Sequence, residues 1–319
     1  MGFCGKESVI LSTNNQQSDP KVLNECREMS NFAEQLANTT LMITFPNAKI
    51  NLGLNIVARR HDGYHDISTL FYPVDIKDAL EIVPAKGDAT TLSLSGNAVD
   101  CPAEKNLVMK AFRLMQSLFD LPEVDIHLHK AIPDGAGLGG GSADASATLL
   151  MLNAMYSLGL ADERLAELAA SLGADCPFFI YNRPMLASGI GDVFSPVSID
   201  LSSKWLVLVK PDVYVSTKEA YAGVVPAQPA VPIADIVMRD VPLWRGVLLN
   251  DFEPSVFARF GQLAQIKEQL YGLGAEYASM SGSGSSMFGI FDSANMAESA
   301  FRSLDFARKF VVRLAPNVR

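Results

Sequence analysis

Five of the seven residues from Gly135 to Gly141 are glycine. The full stretch is Pro133-Asp134-Gly135-Ala136-Gly137-Leu138-Gly139-Gly140-Gly141-Ser142-Ala143. It falls between an expected strand over 124–129 and an expected helix over 143–158. Small residues in succession let backbone N–H groups converge on an anion, and a helix N-terminus adds partial positive charge there. Ser142 has the residue type of an N-cap, with a hydroxyl available to a phosphate or to a metal-bound water. The chemistry implied is the cradling of phosphates.

Three kinds of glycine loop compete for that role. Gly135, Gly137 and Gly140 satisfy G-x-G-x-x-G, but a dinucleotide fold needs a βαβ unit and an acidic residue about 20 positions on. Here the loop helix runs into a second helix, and the next strand is expected only at Cys176. A Walker A loop ends in Gly-Lys-Ser/Thr, and Gly141-Ser142 has no lysine between. A purely structural turn rarely carries so many glycines, since each costs up to about 1 kcal/mol of backbone entropy. A phosphate cradle outside both common families fits best.

The elements that must position this loop are legible around it. Ile50, Leu52, Leu54 and Ile56 alternate with Asn51, Gly53 and Asn55, the period of a half-buried strand. Asp62-Gly63 is a turn signal, so Lys49–Val74 reads as a hairpin. Leu80–Val83 and Thr91–Leu94 are further short strands. Asn106–Phe119 is a helix with Leu107, Ala111, Leu114 and Leu118 on one stripe, followed by the strand Val124–His129. After the loop helix, Asp162–Leu172 is helical, Cys176–Tyr181 is expected as a short strand, and Pro184–Val197 as a strand pair. A second unit is expected to begin near Leu201. It has strands at Trp205–Val209, Ala275–Met280, Ser286–Phe291 and Phe310–Leu314. Its helices are expected at Ser216–Tyr221, Phe257–Tyr271 and Ala297–Leu304, with a proline-dotted loop over Gln228–Val241. Strands and helices interleave without a regular βαβ repeat, which predicts an α+β fold.

The division expected is 1–41 as an N-terminal extension, 42–200 as one domain and 201–319 as another. Val22–Leu36 has a weak amphipathic pattern, and Met42, just before the first clear strand, is a candidate translation start. The 319 residues carry a formal net charge of -9, which argues against a nucleic-acid partner. No apolar run approaches the roughly 20 residues that span a bilayer, and the N-terminus lacks signal-peptide character. The four cysteines are scattered, without metal-ligand spacing, so the cytoplasm is the expected compartment.

Two motifs carry a specific resemblance. Pro133-x-Gly-x-Gly-Leu-Gly-Gly-Gly-Ser142 resembles the phosphate loop of the kinases named for galactokinase, homoserine kinase, mevalonate kinase and phosphomevalonate kinase (GHMP). Ser281-Gly-Ser-Gly-Ser-Ser286 resembles the glycine-rich turn of their C-terminal half, which backs the same site. Within that superfamily, four stretches resemble the 4-diphosphocytidyl-2-C-methyl-D-erythritol kinase family. They are Asn47-Ala-Lys49-Ile-Asn51-Leu-Gly-Leu, Asp62-Gly-Tyr64-His65, Gly-Gly-Gly-Ser142-Ala-Asp144 and Gly173-Ala-Asp175-Cys-Pro177-Phe-Phe. The resemblance runs from Met42 to the C-terminus. It departs at Ala143, where many relatives carry a second serine. It implies an N-terminal domain like domain 2 of ribosomal protein S5 and a ferredoxin-like C-terminal domain.

The resemblance also implies an ATP-dependent kinase of a cytidine diphosphate substrate, with Mg²⁺ accompanying ATP and no dedicated carboxylate cage. Pro133 to Ala143 would hold ATP, and Lys49 and Asp175 would be the catalytic pair. Asp175, between Gly173 and Pro177, suits a base, and Lys49 suits stabilisation of its carboxylate and of a nascent alkoxide. Asn51, Tyr64 and His65 would meet the substrate, with Tyr214 as a second stacking ring. Lys130 is expected either to touch phosphate or to be exposed, and Cys176 to be a small buried side chain. Taken alone, an Asp before a Pro is more often turn chemistry and a lone Lys a solvated surface group. Another GHMP-type kinase, and a silent nucleotide-binding regulator, are the alternative functions.

Overall fold

The structure of the protein, a computed structural model, describes residues 42–97 and 101–315. The extension over 1–41 and its expected helix lie outside them. In chain order the first half runs β1 (Met42–Thr44), β2 (Asn47–Arg59), β3 (His65–Lys77), β4 (Ala79–Pro84), β5 (Thr91–Gly96), α1 (Leu107–Phe119) and β6 (Val124–Lys130). Next come α2 (Gly140–Met155), α3 (Asp162–Ala170), α4 (Cys176–Tyr181), β7 (Met185–Ser188) and β8 (Val193–Pro196). The second half runs β9 (Trp205–Val209), α5 (Thr217–Ala222), α6 (Ile233–Ile236), α7 (Glu253–Arg259), α8 (Gly261–Gly272), β10 (Tyr277–Met280), β11 (Met287–Phe291), α9 (Ala294–Ser303) and β12 (Lys309–Arg313). This is the expected mixed α+β architecture.

The strands form three four-stranded sheets, ordered β1-β4-β6-β5, β2-β3-β7-β8 and β10-β11-β9-β12. The first packs Leu80, Ile82, Ile126 and Leu128 against α1 to α4. The second and third share an apolar layer, in which Ala48, Ile50, Leu52 and Tyr72 meet Leu206, Leu208, Phe288 and Ile290. On its far side the third sheet turns Val207, Val209 and Phe291 to α7, α8 and α9.

Strand β2 departs from the half-buried strand expected of it. Its first eight residues are all buried, because apolar layers cover both of its faces. A register shift between Leu52 and Leu54 leaves Gly53 as a bulge at φ 70°. Ala48, Ile50 and Leu52 therefore face the shared layer, whereas Leu54 and Ile56 face the helices of the C-terminal half. Lys49 and Asn51, pointing opposite to Ile50, come to the same side as Leu54 and Ile56. One extra residue thus keeps an apolar alternation and still delivers two polar side chains to the interior.

Three helical expectations need correcting. Cys176–Tyr181 is a helix, not a strand. Six apolar residues carry no usable period, and Pro177 is tolerated in a first helical turn. The expected helix over 257–271 is two, broken at Phe260 (φ -126°, ψ 69°), with Pro254 in the first turn of α7. The buried stripe of α1 is Val108, Met109, Ala111, Phe112 and Met115, and the expected member Leu118 is exposed. Asn106 caps that helix, its side-chain oxygen accepting the Val108 N–H at 2.9 Å. The proline-dotted loop contains α6 and runs into a 3₁₀ turn (Val241–Trp244) that buries Trp244 in the shared layer.

A Cβ on Gly53 would lie 2.6 Å from Leu248 Cδ1 at a backbone conformation that L-residues avoid. Gly53→Ala is expected to lower stability by about 1–2 kcal/mol. Urea unfolding checks this as a lower midpoint at unchanged slope. A midpoint equal to the parent's would show that the register of β2 does not need the bulge.

Candidate active site

The phosphate loop leaves β6 at Lys130 and enters α2 at Gly140. The helix N-cap is Gly139 (φ 71°), with no side-chain cap. Ser142, expected in that place, is the third helical residue, because the left-handed turn at Gly139 starts the helix earlier. The first intrahelical bond runs from the Ala143 N–H to the Gly139 carbonyl at 2.9 Å. The N–H groups of Gly140, Gly141 and Ser142 therefore precede the ladder and remain open to an anion. Pro133, Ala136 and Leu138 are buried, so their side chains face the protein and only their backbone is offered outward. Asp134 is exposed at the loop's tip. Ala143 packs its methyl among Phe71, Phe178 and Phe179.

The second glycine-rich turn lies directly against this loop. A Cβ on Gly137 would sit 2.1 Å from the Ser281 carbonyl oxygen. The Ser281 hydroxyl donates to the Gly137 carbonyl at 2.9 Å, and the Ser286 N–H to the Ala136 carbonyl at 3.3 Å. The two motifs are one backbone-to-backbone assembly, and any side chain at Gly137 would force them apart.

Lys49 projects from β2 into the base of this assembly and is buried. Its Nζ donates to Asn51 Oδ1 at 2.7 Å and to the Gly137 carbonyl at 3.1 Å, and stands 3.5 Å from Asp175 Oδ2. The Phe71 ring centroid is 4.8 Å away. Burial lowers the Lys49 pKa, and the nearby Asp175 carboxylate partly opposes that. Asp175 immediately precedes α4, and its side chain is about a third exposed (37%), open to a ligand. Asn51 is engaged at both ends of its amide: Nδ2 donates to Thr69 Oγ1 at 2.9 Å, whose hydroxyl donates to the Gly53 carbonyl at 2.5 Å. Asn51 therefore stands first as the orienting partner of Lys49.

Lys49, Asn51, Asp175 and the loop glycines line one cavity of ≈ 260 Å³. A larger one of ≈ 760 Å³, lined by Arg59, Tyr64, His65 and Val224, adjoins it. Ile190, Thr217 and Tyr221 line both, so the two form one bipartite cleft. Tyr221 stacks on His65 (centroids 4.9 Å apart, planes at 24°) and meets Phe252 edge-on. Burial, then the Asp175 charge, raises the pKa of its phenol. Tyr64 stands exposed at the hairpin turn, its N–H held by Asp62 Oδ1 at 3.0 Å.

Tyr214 is brought to Gly135 in the smaller cavity, not to His65. The ring that stacks on His65 is Tyr221, which sequence reasoning does not single out. The short helix that carries it was legible, with Ser216 as its N-cap, but nothing local separates Tyr221 from a core aromatic. Lys130 neither faces the loop's open side nor is exposed: it is buried in an ion-pair network with Asp78 and Asp144. Cys176 is buried, and burial pushes its thiol up to about 11, which suits packing and not nucleophilic chemistry. Among the described residues no helix is long and apolar enough to cross a membrane.

The two glycine-rich turns that pack backbone to backbone here are the pair of motifs that resembles the GHMP kinases, and comparison with known proteins places the chain in that class. The GHMP kinases N terminal domain matches residues 106–183, and the GHMP kinases C terminal domain matches residues 238–308. The crystal structure of homoserine kinase from Cytophaga hutchinsonii superposes with a TM-score of 0.68 over 87% of this chain and 96% of that one. At 20% identity this speaks to the fold alone. A 4-diphosphocytidyl-2-C-methyl-D-erythritol kinase of Bacteroides fragilis is 51% identical over 271 residues, 84% of this chain and 97% of the relative. The crystal structure of 4-(cytidine 5'-diphospho)-2C-methyl-D-erythritol kinase is 34% identical, with a TM-score of 0.73 over 85% of this chain and 98% of that one. The chain belongs to the 4-diphosphocytidyl-2-C-methyl-D-erythritol kinase family. It is accordingly an ATP-dependent phosphotransferase with an alcohol acceptor.

Proposed function

We propose that the protein transfers the γ-phosphoryl group of ATP to the 2-hydroxyl of 4-diphosphocytidyl-2-C-methyl-D-erythritol, in the non-mevalonate route to isoprenoid precursors. The observation that carries this is the bipartite cleft. Its smaller chamber joins the phosphate loop to Lys49 and Asp175, and its larger chamber offers Tyr64, His65 and Tyr221 to a flat base. An acceptor with an alcohol at one end and a pyrimidine at the other spans the two.

In this reading Pro133 to Ala143 hold the nucleotide, chiefly through backbone N–H groups and the N-terminus of α2. The acceptor oxygen forms a bond to the γ-phosphorus, the bond to the β–γ bridging oxygen breaks, and ADP leaves with that electron pair. Asp175 takes the hydroxyl proton. Lys49, 3.5 Å from the Asp175 carboxylate, offsets the charge growing on the acceptor oxygen. Its bonds to Asn51 and Gly137 make it a fixed point charge, so no reorganisation is needed as charge moves. Tyr64 and Tyr221 supply stacking faces and His65 a hydrogen-bonding edge. Tyr214, beside Gly135, closes the nucleotide side.

Mg²⁺ usually keeps several waters and binds mainly through substrate phosphates. It would accompany ATP here through the nucleotide's own phosphates, where it would neutralise charge, and no side chain of this chain is assigned to hold it. The chain divides into 42–200, like domain 2 of ribosomal protein S5, and 201–319, ferredoxin-like. Supporting the second label, β9, β10, β11, α9 and β12 with the helices after β9 follow a βαββαβ order, and the sheet runs β10-β11-β9-β12. Free thiols at Cys101 and Cys176 support a cytoplasmic setting.

A coupled ADP-release assay with the cytidine substrate tests the function on three proteins. The parent turns over; Asp175→Asn loses about 10²–10⁴-fold in kcat; Tyr221→Ala raises the substrate KM by about tenfold or more, with a smaller change in kcat. No turnover by the parent refutes the acceptor, and a full rate from Asp175→Asn refutes the base.

The pH profile follows from the environment of Lys49. Its ammonium is the productive form and is lost as pH rises through a pKa lowered from 10.5. The rate is therefore expected to fall on an alkaline limb with its midpoint below the ordinary lysine value. A profile flat up to that value would remove Lys49 from the mechanism.

A further inference from the structure

We propose that Asp78, Lys130 and Asp144 form a positioning unit that clamps both ends of the phosphate loop and holds a proton while the nucleotide is bound. This rests on the reading of the loop as the nucleotide's phosphate cradle. Asp78, between β3 and β4, accepts the N–H groups of Ala131 and Ile132 on one carboxylate oxygen, at 2.6 and 2.8 Å. Those residues open the loop. Its other oxygen accepts from Lys130 Nζ, which also donates to Asp144 Oδ2 at 2.6 Å on the first turns of α2, just past the loop. One cation thus joins the strand that enters the loop to the helix that leaves it. A Cβ on Gly140 would lie 3.3 Å from Lys130 Nζ, so the unit sits directly under the start of α2.

The charges in this unit do not balance. All three side chains are almost wholly buried, and two carboxylates against one ammonium leave one net negative charge beneath a site for polyanions. Asp144 Oδ1 is buried and has no hydrogen-bond partner, an arrangement that an ionised carboxylate makes costly and a protonated one relieves. The charges acting on Asp144 come from Lys130 on β6 and Asp78 before β4. The residues that α1 and β4 contribute to the core around α2, such as Val108, Phe112, Leu80 and Ile82, are apolar. Lys49 on β2 is occupied by Asn51, Gly137 and Asp175. Burial raises the Asp144 carboxyl to about 7, against the pull of Lys130.

The sign of the linkage is fixed by this. Below neutrality Asp144 already carries the proton, and the unit is neutral. Above neutrality it is ionised in the free protein, and an arriving phosphate chain raises its proton affinity, so binding draws a proton from solvent.

Calorimetric titration of the full-length protein with MgATP, in buffers of different ionisation heat, counts that proton. Uptake by the parent is expected to be close to none at about pH 6 and to approach about one proton at about pH 8. Asp144→Asn, isosteric and always neutral, is expected to bind MgATP with that pH-dependent uptake gone. Lys130→Met is expected to raise the KM for MgATP by about tenfold, with the KM for the cytidine substrate changing less than about twofold. Equal uptake by Asp144→Asn and parent overturns the proposal, as does a folded Lys130→Met with the parent's KM. If circular dichroism shows Lys130→Met unfolded, the proton count on Asp144→Asn decides alone. Failure of the parent to bind MgATP is a distinct outcome, which refutes the phosphate-cradle reading itself.

Discussion

A buried ammonium group cannot stand without partners, and most of the site follows from satisfying one. Stripping a buried pair of one member costs roughly 3–5 kcal/mol. Lys49 is paired by three segments remote from one another in the chain: Asn51 on its own strand, the Gly137 carbonyl of the phosphate loop, and Asp175 ahead of α4. Each partner is itself held. Asn51 is braced by Thr69, Gly137 by Ser281, and Asp175 by the packing of α4 against the aromatic cluster around Phe71. The charge proposed to serve phosphoryl transfer also ties the hairpin, the loop and α4 into one arrangement.

The glycines follow from the same closeness. Gly137 meets the Ser281 backbone and Gly139 meets the Phe179 ring, at distances where a Cβ would collide. Both also hold positive φ, so the residue type is required twice over. The loop can offer N–H groups to an anion because its buried side chains, Ala136 and Leu138, anchor it in the shared apolar layer. That layer draws on both β2–β3 and the C-terminal sheet, so the loop is packed against both.

Electrostatics divide between two lysines of opposite circumstance. Lys49 faces one partly exposed carboxylate, and burial lowers its pKa; Lys130 faces two buried carboxylates, and they outweigh burial and raise it. The first is open to the chemistry of the cleft, the second closed beneath the loop. Two lysines in glycine-rich surroundings are indistinguishable by residue type, and only the number and burial of their neighbours separates them.

Much was legible in the chain itself. The glycine run without a Walker lysine, the turn at Asp62-Gly63 and the Gly173-to-Pro177 junction fall where local physics puts them, because turns, caps and backbone approach depend on neighbours within a few residues. The hairpin and most strands were likewise correct. What escaped was set by tertiary contact. Six apolar residues after Asp175 became a helix once packed against α2 and α3. Gly53 took the bulge that brings Leu54 and Ile56 to the side of Lys49 and Asn51, with Leu248 and Ile233 closing around it. Tyr221 reached His65 and Tyr214 reached Gly135, since both placements depend on how the segment around α5 lies over the hairpin and the loop. Lys130 was claimed by Asp78 and Asp144 rather than by solvent or phosphate. Residue type and spacing determined which chemistry is available in this protein; long-range packing, with its burial and its pairing of charges, decided which side chains perform it.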